Sequence, residues 1–300
     1  MNTRRQILSL AFLVLSSFSF IGEAQCPGNI VPVRYHPLGR SYMATYVSLN
    51  HSGPYEFMVD TGSETSIIEP SLAGELQLEP VGKGDLVAGV RHTTTAIVSA
   101  EVMEVGSHAS HQRLIAVASL AQLQDLHPGL RGILGEDFLK DFDLLIDRRK
   151  KILCLDPTRE MSASIGGERI SIVRQGSDDT QAILVPVRLS QEKTRTMYLR
   201  LDSGASVPIL YVNPSKWEPL MGQAKALPAK VVGGTSIFFQ LMAPQRIRIG
   251  NQVLSDVKFA APVASKQNVV FAGQDGLLPT SLFERVFISY RDEFVVLNPR

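Results

Sequence analysis

Short stretches that are continuously apolar, or that alternate apolar with polar positions, recur along this chain. Few of them carry the three-to-four-residue spacing of a helical face. In the first half they fall at 42–49, 55–59, 96–105, 114–118, 142–146 and 152–155, separated by clusters of Gly, Pro, His and Ser. Period-two runs broken by turn residues predict strands, and a succession of them predicts an all-β fold. Helical pattern is confined to short pieces around 71–76 and 136–140.

Two of the apolar runs end in an acidic turn. Phe57-Met58-Val59-Asp60-Thr61-Gly62-Ser63 returns 142 positions later as Leu199-Arg200-Leu201-Asp202-Ser203-Gly204-Ala205. Gly132-Ile133-Leu134-Gly135 is echoed by Gly276-Leu277-Leu278-Pro279, displaced by 144, and 146–157 is echoed by 288–299, displaced by 142. Three echoes at nearly one offset imply an internal duplication. They divide the chain into a lobe at 30–156, a polar, glycine-ended linker at 157–167 and a second lobe at 168–300.

The repeated acidic turns are where chemistry is expected. Two carboxylates held within hydrogen-bonding distance do not readily both ionise, so the pair keeps one proton and can act as base and acid in one cycle. The glycines Gly62 and Gly204 let backbone amides approach each carboxylate where a side chain would obstruct them. Ser63 can donate a hydrogen bond to Asp60, whereas Ala205 offers none to Asp202; Asp60 is therefore expected to ionise first and Asp202 to hold the shared proton. Taken singly, either triplet is an ordinary turn signal. The matched context makes the pair informative.

These paired segments resemble the pepsin and retroviral-protease superfamily of aspartic peptidases. The resemblance implies two similar pepsin/retropepsin-like β-barrel lobes with the active-site cleft between them. It makes Asp60 and Asp202 the catalytic pair, activating a water, and it has the hydroxyls of Thr61 and Ser203 cross to the opposite lobe. In the family a hydrophobic-hydrophobic-glycine element supports each catalytic turn. Ile133-Leu134-Gly135 matches it, while Leu277-Leu278-Pro279 departs at the glycine, where proline removes an amide hydrogen. The segments around Gly89-Val90 and Gly233-Gly234 correspond to hairpins that close over a bound peptide; the competing reading is ordinary hairpin turns away from the cleft. Two such glycine-bearing segments, with no flap tyrosine near Gly89, look more like a fused retroviral-type dimer than a pepsin.

An endopeptidase acting on peptide or protein substrates as a monomer, with no cofactor and no metal, follows from the resemblance. Its competitors are a non-catalytic peptide-binding or inhibitory relative of the cell envelope, which Ala205 and Pro279 keep open, and a structural envelope component carrying a relict motif. Retention of both aspartates and both hydroxyl neighbours favours catalysis, since a binding module has no chemical need for facing carboxylates.

Composition adds limits. With 44% hydrophobic and 20% charged residues the chain is ordinary for a globular protein. Residues 1–24 read as a secretory leader, with Arg4 and Arg5 ahead of the apolar run 7–21 and Gly22-Glu23-Ala24 as a small-residue cleavage site. Fifteen apolar residues are short for a membrane span, so the mature chain is expected in the periplasm or outside the cell. A lipoprotein anchor on Cys26 fits poorly beside Glu23 and Gln25. Removing the leader takes the formal charge from +1 to 0, and nothing points to nucleic acid or an anionic membrane surface. Only 25–29 separate that site from the first strand, too few for an inhibitory prosegment, so activation by trimming is not expected. Cys26 and Cys154 can pair in an oxidising compartment, or stand as a tail thiol and a small buried residue. His108 and His111 have metal-compatible spacing without further ligands and read as turn residues. Trp217, between Pro214 and Pro219, reads as a packing wedge.

Overall fold

The computed structural model describes residues 25–88, 91–175, 182–190, 195–211, 227–230, 236–263 and 274–298. The segment 1–24 read as a leader, Trp217 and the flap candidates Gly89, Val90, Gly233 and Gly234 lie outside the described residues. Strand dominates what is described, with only short helices between, and the strands form an eight-stranded sheet of the first lobe, a ten-stranded sheet of the second and a six-stranded sheet that both lobes share.

Local chemistry sets the hairpins. Tyr42–Leu49 runs antiparallel to Ser52–Val59 through Asn50 and His51, both at positive φ (49° and 63°). That is the backbone a two-residue hairpin connection requires, and asparagine tolerates it. The Asn50 side chain then accepts hydrogen bonds from the amides of Glu101 and Val102, tying the turn to a neighbouring strand. Pro80–Ala88 and Arg91–Val105 form a long hairpin paired as far as Ala88 opposite Arg91. Leu227–Lys230 and Ser236–Leu241 form the second-lobe counterpart, paired out to Lys230 opposite Ser236.

The shared sheet explains the continuously apolar runs near the end of each lobe. Asp143–Asp147 pairs antiparallel with Ile152–Asp156 on one side and with Arg285–Ser289 of the second lobe on the other. Both faces of this sheet are covered. Leu144, Ile146, Leu153, Leu155, Val286, Ile288, Val295 and Leu297 point into the main core, which continues through both lobes. Their alternates Leu145, Ile152, Cys154, Phe287, Phe294 and Val296 point into a second cluster with Met161 and Ile165. Strands buried on both faces lose the polar half of the alternation.

The linker is more structured than its polar composition suggested. Glu160–Ser164 forms a short helix inside 157–167, and the Asp156 carboxylate accepts hydrogen bonds from the amides of Thr158 (2.7 Å) and Met161 (2.7 Å) at its start. Met161 carries the helix onto the shared sheet. Beside it, Cys26 and Cys154 form a disulfide with Cα atoms 5.7 Å apart, fastening the segment before the first strand to Ile152–Asp156.

The two lobes correspond in register. Ile67 lies opposite Ala116 in a parallel pair and Ile133 in an antiparallel pair; Ile209 lies likewise opposite Ala260 and Leu277. The offset between these matched sets is the 142 to 144 positions seen in the sequence echoes.

Candidate active site

Each acidic turn is placed by a parallel strand pair. Ser52–Val59 runs alongside Leu130–Leu134, and the amide of Asp60 donates to the carbonyl of Leu134 at 2.9 Å as the strand ends. In the second lobe Met197–Asp202 runs alongside Gly276–Pro279, with Asp202 opposite Pro279. The chain then turns on Thr61-Gly62 and on Ser203-Gly204. The Gly62 amide donates to Asp60 Oδ1 at 2.8 Å and the Gly204 amide to Asp202 Oδ1 at 2.7 Å.

The turns meet face to face. A Cβ on Gly62 would lie 2.4 Å from Cγ of Asp202, and a Cβ on Gly204 would lie 2.4 Å from Oδ2 of Asp60. Each glycine is therefore required by the carboxylate of the other lobe. Four reciprocal hydrogen bonds lock the approach. Thr61 Oγ1 donates to the Leu201 carbonyl (2.9 Å) and accepts from the Ser203 amide (3.0 Å); Ser203 Oγ donates to the Val59 carbonyl (2.7 Å) and accepts from the Thr61 amide (3.0 Å). Thr61 and Ser203 are both fully buried, so every one of these polar atoms depends on its partner across the lobes.

Asp60 and Asp202 lie close enough for one carboxyl to share its proton with the other. Burial raises Asp60, while the Gly62 amide and the Arg200 guanidinium pull it back. Burial raises Asp202 further, and the negative charge of Asp60 adds to the rise. One proton shared by the pair, resident on Asp202, is the state this asymmetry favours.

That ordering agrees with the expectation from the sequence, but its cause does not. The Ser63 hydroxyl donates to the carbonyl of Thr65 at 2.8 Å instead of to Asp60, and Ser63 meets Asp60 through its backbone amide, 3.3 Å from the Asp60 carbonyl. The turn closes on itself there, so the hydroxyl finds a nearer acceptor. Ala205 is buried against the second turn. The asymmetry comes from burial, from the negative charge of Asp60 acting on Asp202, and from backbone hydrogen-bond donors to Asp60.

Pro279 turns out to be matched by a second change. In the first lobe the Gly135 amide donates to Ser66 Oγ at 3.0 Å, and a Cβ at Gly135 would lie 2.7 Å from the backbone of Thr65. The second-lobe equivalents are Pro279 and Pro208, so donor and acceptor are lost together. No buried group is stranded, and Pro279 continues its strand with φ −62° and ψ 133°.

A charged cluster that the sequence motifs do not announce stands beside the pair. Arg200, at the position equivalent to Met58, is buried; its Nη2 reaches Glu136 Oε2 at 2.9 Å and its Nη1 reaches Glu64 Oε1 at 3.4 Å. The bridge to Glu136 is buried at both ends and crosses between lobes. Burial pushes the Glu136 carboxyl up to about 8, against the pull of Arg200. The visible signal was Leu199-Arg200-Leu201, a charge inside an apolar strand where Met58 stands in the first lobe. The hydroxyl of Tyr211 is also pushed up by burial and by Asp202, which puts the phenol within electrostatic reach of the pair. Among the described residues, the one group of three metal-capable side chains, His36, Glu56 and His127, stands apart from the dyad.

Residues 45–141 match the family described as gag-polyprotein putative aspartyl protease. A crystal structure of a retropepsin-like aspartic protease from Rickettsia conorii is 15% identical over 42% of this chain and 89% of that one, with a TM-score of 0.31. No curated protein matches the chain. The family match covers most of the first lobe, including the Asp60-Thr61-Gly62 turn, while the facing Asp202-Ser203-Gly204 turn lies outside the matched residues.

Proposed function

We propose that this protein is an aspartic endopeptidase that hydrolyses extended peptides between Asp60 and Asp202. The observation that carries the reading is the mutual contact of the two turns, each carboxylate seated on the glycine of the other lobe. A water bound by both carboxyls gives its proton to the Asp60 carboxylate as its oxygen attacks the scissile carbonyl carbon. The Asp202 carboxyl gives its proton to the carbonyl oxygen, leaving a neutral tetrahedral diol. Collapse of the diol returns a proton to Asp202 while Asp60 protonates the departing amine, so the C–N bond breaks and the pair regains its single proton. The Gly62 and Gly204 amides hold the carboxylates in place throughout. In this reading the hairpin of Pro80–Ala88 with Arg91–Val105 and that of Leu227–Lys230 with Ser236–Leu241 cover a bound strand and exclude water.

Export to an oxidising compartment belongs to the same proposal. The leader pattern of 1–24 supports it, as does the Cys26–Cys154 disulfide, a bond rare in reducing cytosol.

The test is cleavage of an unfolded protein by the leaderless chain, with Asp60→Asn and Asp202→Asn as folded controls. Cleavage should be blocked by a statine-type inhibitor and should fall by at least about a thousandfold in each variant. Peptide binding without cleavage, unchanged in Asp202→Asn, would assign the cleft to recognition alone.

A further inference from the structure

On the first lobe, away from the acidic turns, three segments bring together two imidazoles and a carboxylate. His36 comes from His36–Leu38, Glu56 from the middle of Ser52–Val59, and His127 from the turn before Leu130–Leu134. Their nearest ligand atoms all lie within 4.8 Å of one another. His36 Nε2 is 3.2 Å from Glu56 Oε1, and His127 Nε2 contacts Glu56 Oε2 directly.

Two details separate this cluster from a surface ion pair. His36 Nε2 is closed off from solvent and makes no hydrogen bond despite its nearness to the carboxylate. A cation placed between a ring nitrogen and a carboxylate oxygen that lie close without a hydrogen bond would engage both. The surrounding backbone is also shaped for close approach. A Cβ on Gly129 would lie 2.6 Å from Glu56 Oε2 and 3.3 Å from His127 Nε2, while Pro37 and Pro128 fix φ next to each histidine.

We propose that His36, Glu56 and His127 form a binding site for one divalent first-row transition-metal ion, with zinc the ion best suited to their donor set. Bonds of roughly 2.0–2.1 Å at tetrahedral angles put donor atoms roughly 3.4 Å apart, close to the spacing of His36 and Glu56. Two imidazole nitrogens with one carboxylate suit zinc and its neighbours and do not suit magnesium or calcium, which take oxygen ligands. The three side chains remain about one-fifth to one-third exposed, leaving room for water as a further ligand. Four residues along an extended strand, at about 3.3 Å each, put Glu56 roughly 13 Å from Asp60. The ion therefore ties three segments of the first lobe together and takes no part in the reaction at the dyad.

The test is calorimetric titration of zinc chloride into the tag-free, metal-stripped chain, with bound zinc counted by mass spectrometry after desalting. One equivalent should bind in or below the micromolar range and raise the unfolding midpoint as zinc increases. Glu56→Gln, which keeps side-chain size, and His127→Ala should each weaken binding by at least about tenfold, while His111→Ala leaves it unchanged. Circular dichroism shows that the variants compared are folded. Cobalt should bind with the visible band of a low-symmetry nitrogen and oxygen site, and magnesium should give no response. Binding below one equivalent in the unaltered chain, binding indifferent to Glu56→Gln, or an equal response to magnesium overturns the proposal.

Discussion

At the scale of single residues, the two glycines, Arg200 and Ser63 separate the roles most sharply. Gly62→Ala or Gly204→Ala drives a methyl into the opposite carboxylate. Either change should lower kcat/KM by about a hundredfold or more through displacement of the pair, with a smaller loss of stability. Ser63→Ala should leave both limbs of the pH-rate profile where they are, because its hydroxyl is spent on the Thr65 carbonyl. Arg200→Met should move both limbs to higher pH, since the guanidinium pulls down Asp60 and Asp202 alike. A profile unmoved in Arg200→Met would mean that its charge is screened from the pair.

At the scale of elements, the decisive contacts are the cross-lobe hydrogen bonds of Thr61 and Ser203. Thr61→Val keeps the shape of the side chain but strands the buried Leu201 carbonyl and Ser203 amide. The expected loss is about 1–3 kcal/mol in denaturant unfolding, with activity falling further than stability. The elements themselves were largely legible in sequence. The strand at 42–49 is found with the boundaries its alternation indicates, and the runs at 142–146 and 152–155 are displaced or extended by a single residue. Ser52–Val59 begins earlier than expected because a two-residue turn lets pairing resume at once. The acidic turns could be read because their signal is local and repeated. The partners of Arg200, the acceptor of Ser63 and the pairing of Pro279 with Pro208 could not, since each depends on which distant segments pack together. The helix at Glu160–Ser164 was hidden for a related reason: its cap and its buried Met161 become visible only once the shared sheet gives them a surface.

At the scale of the whole molecule, both charge and crosslinking make predictions. Glu136 sits near 8 in the fold against an ordinary value of 4.5, and Asp60 and Asp202 are raised as well. For a raised group the stabilising contribution is complete below the unfolded value and is lost as pH climbs through the folded one. The protein should therefore lose stability between about pH 4.5 and pH 8, and Glu136→Gln should flatten that slope in thermal melts across the range. The Cys26–Cys154 disulfide closes a separation of 128 residues across the shared sheet. Reducing it, or replacing both cysteines with alanine, should cost about 2–4 kcal/mol. The central claim is that the two lobes exist to hold one proton between two facing carboxylates. It is tested most directly by the pH dependence of kcat/KM for cleavage of an unfolded peptide. The account predicts a bell, falling at low pH as Asp60 takes up a proton and at high pH as Asp202 gives its proton up, and vanishing in both asparagine variants. A profile with a single limb, or cleavage that survives in Asp202→Asn, would contradict it.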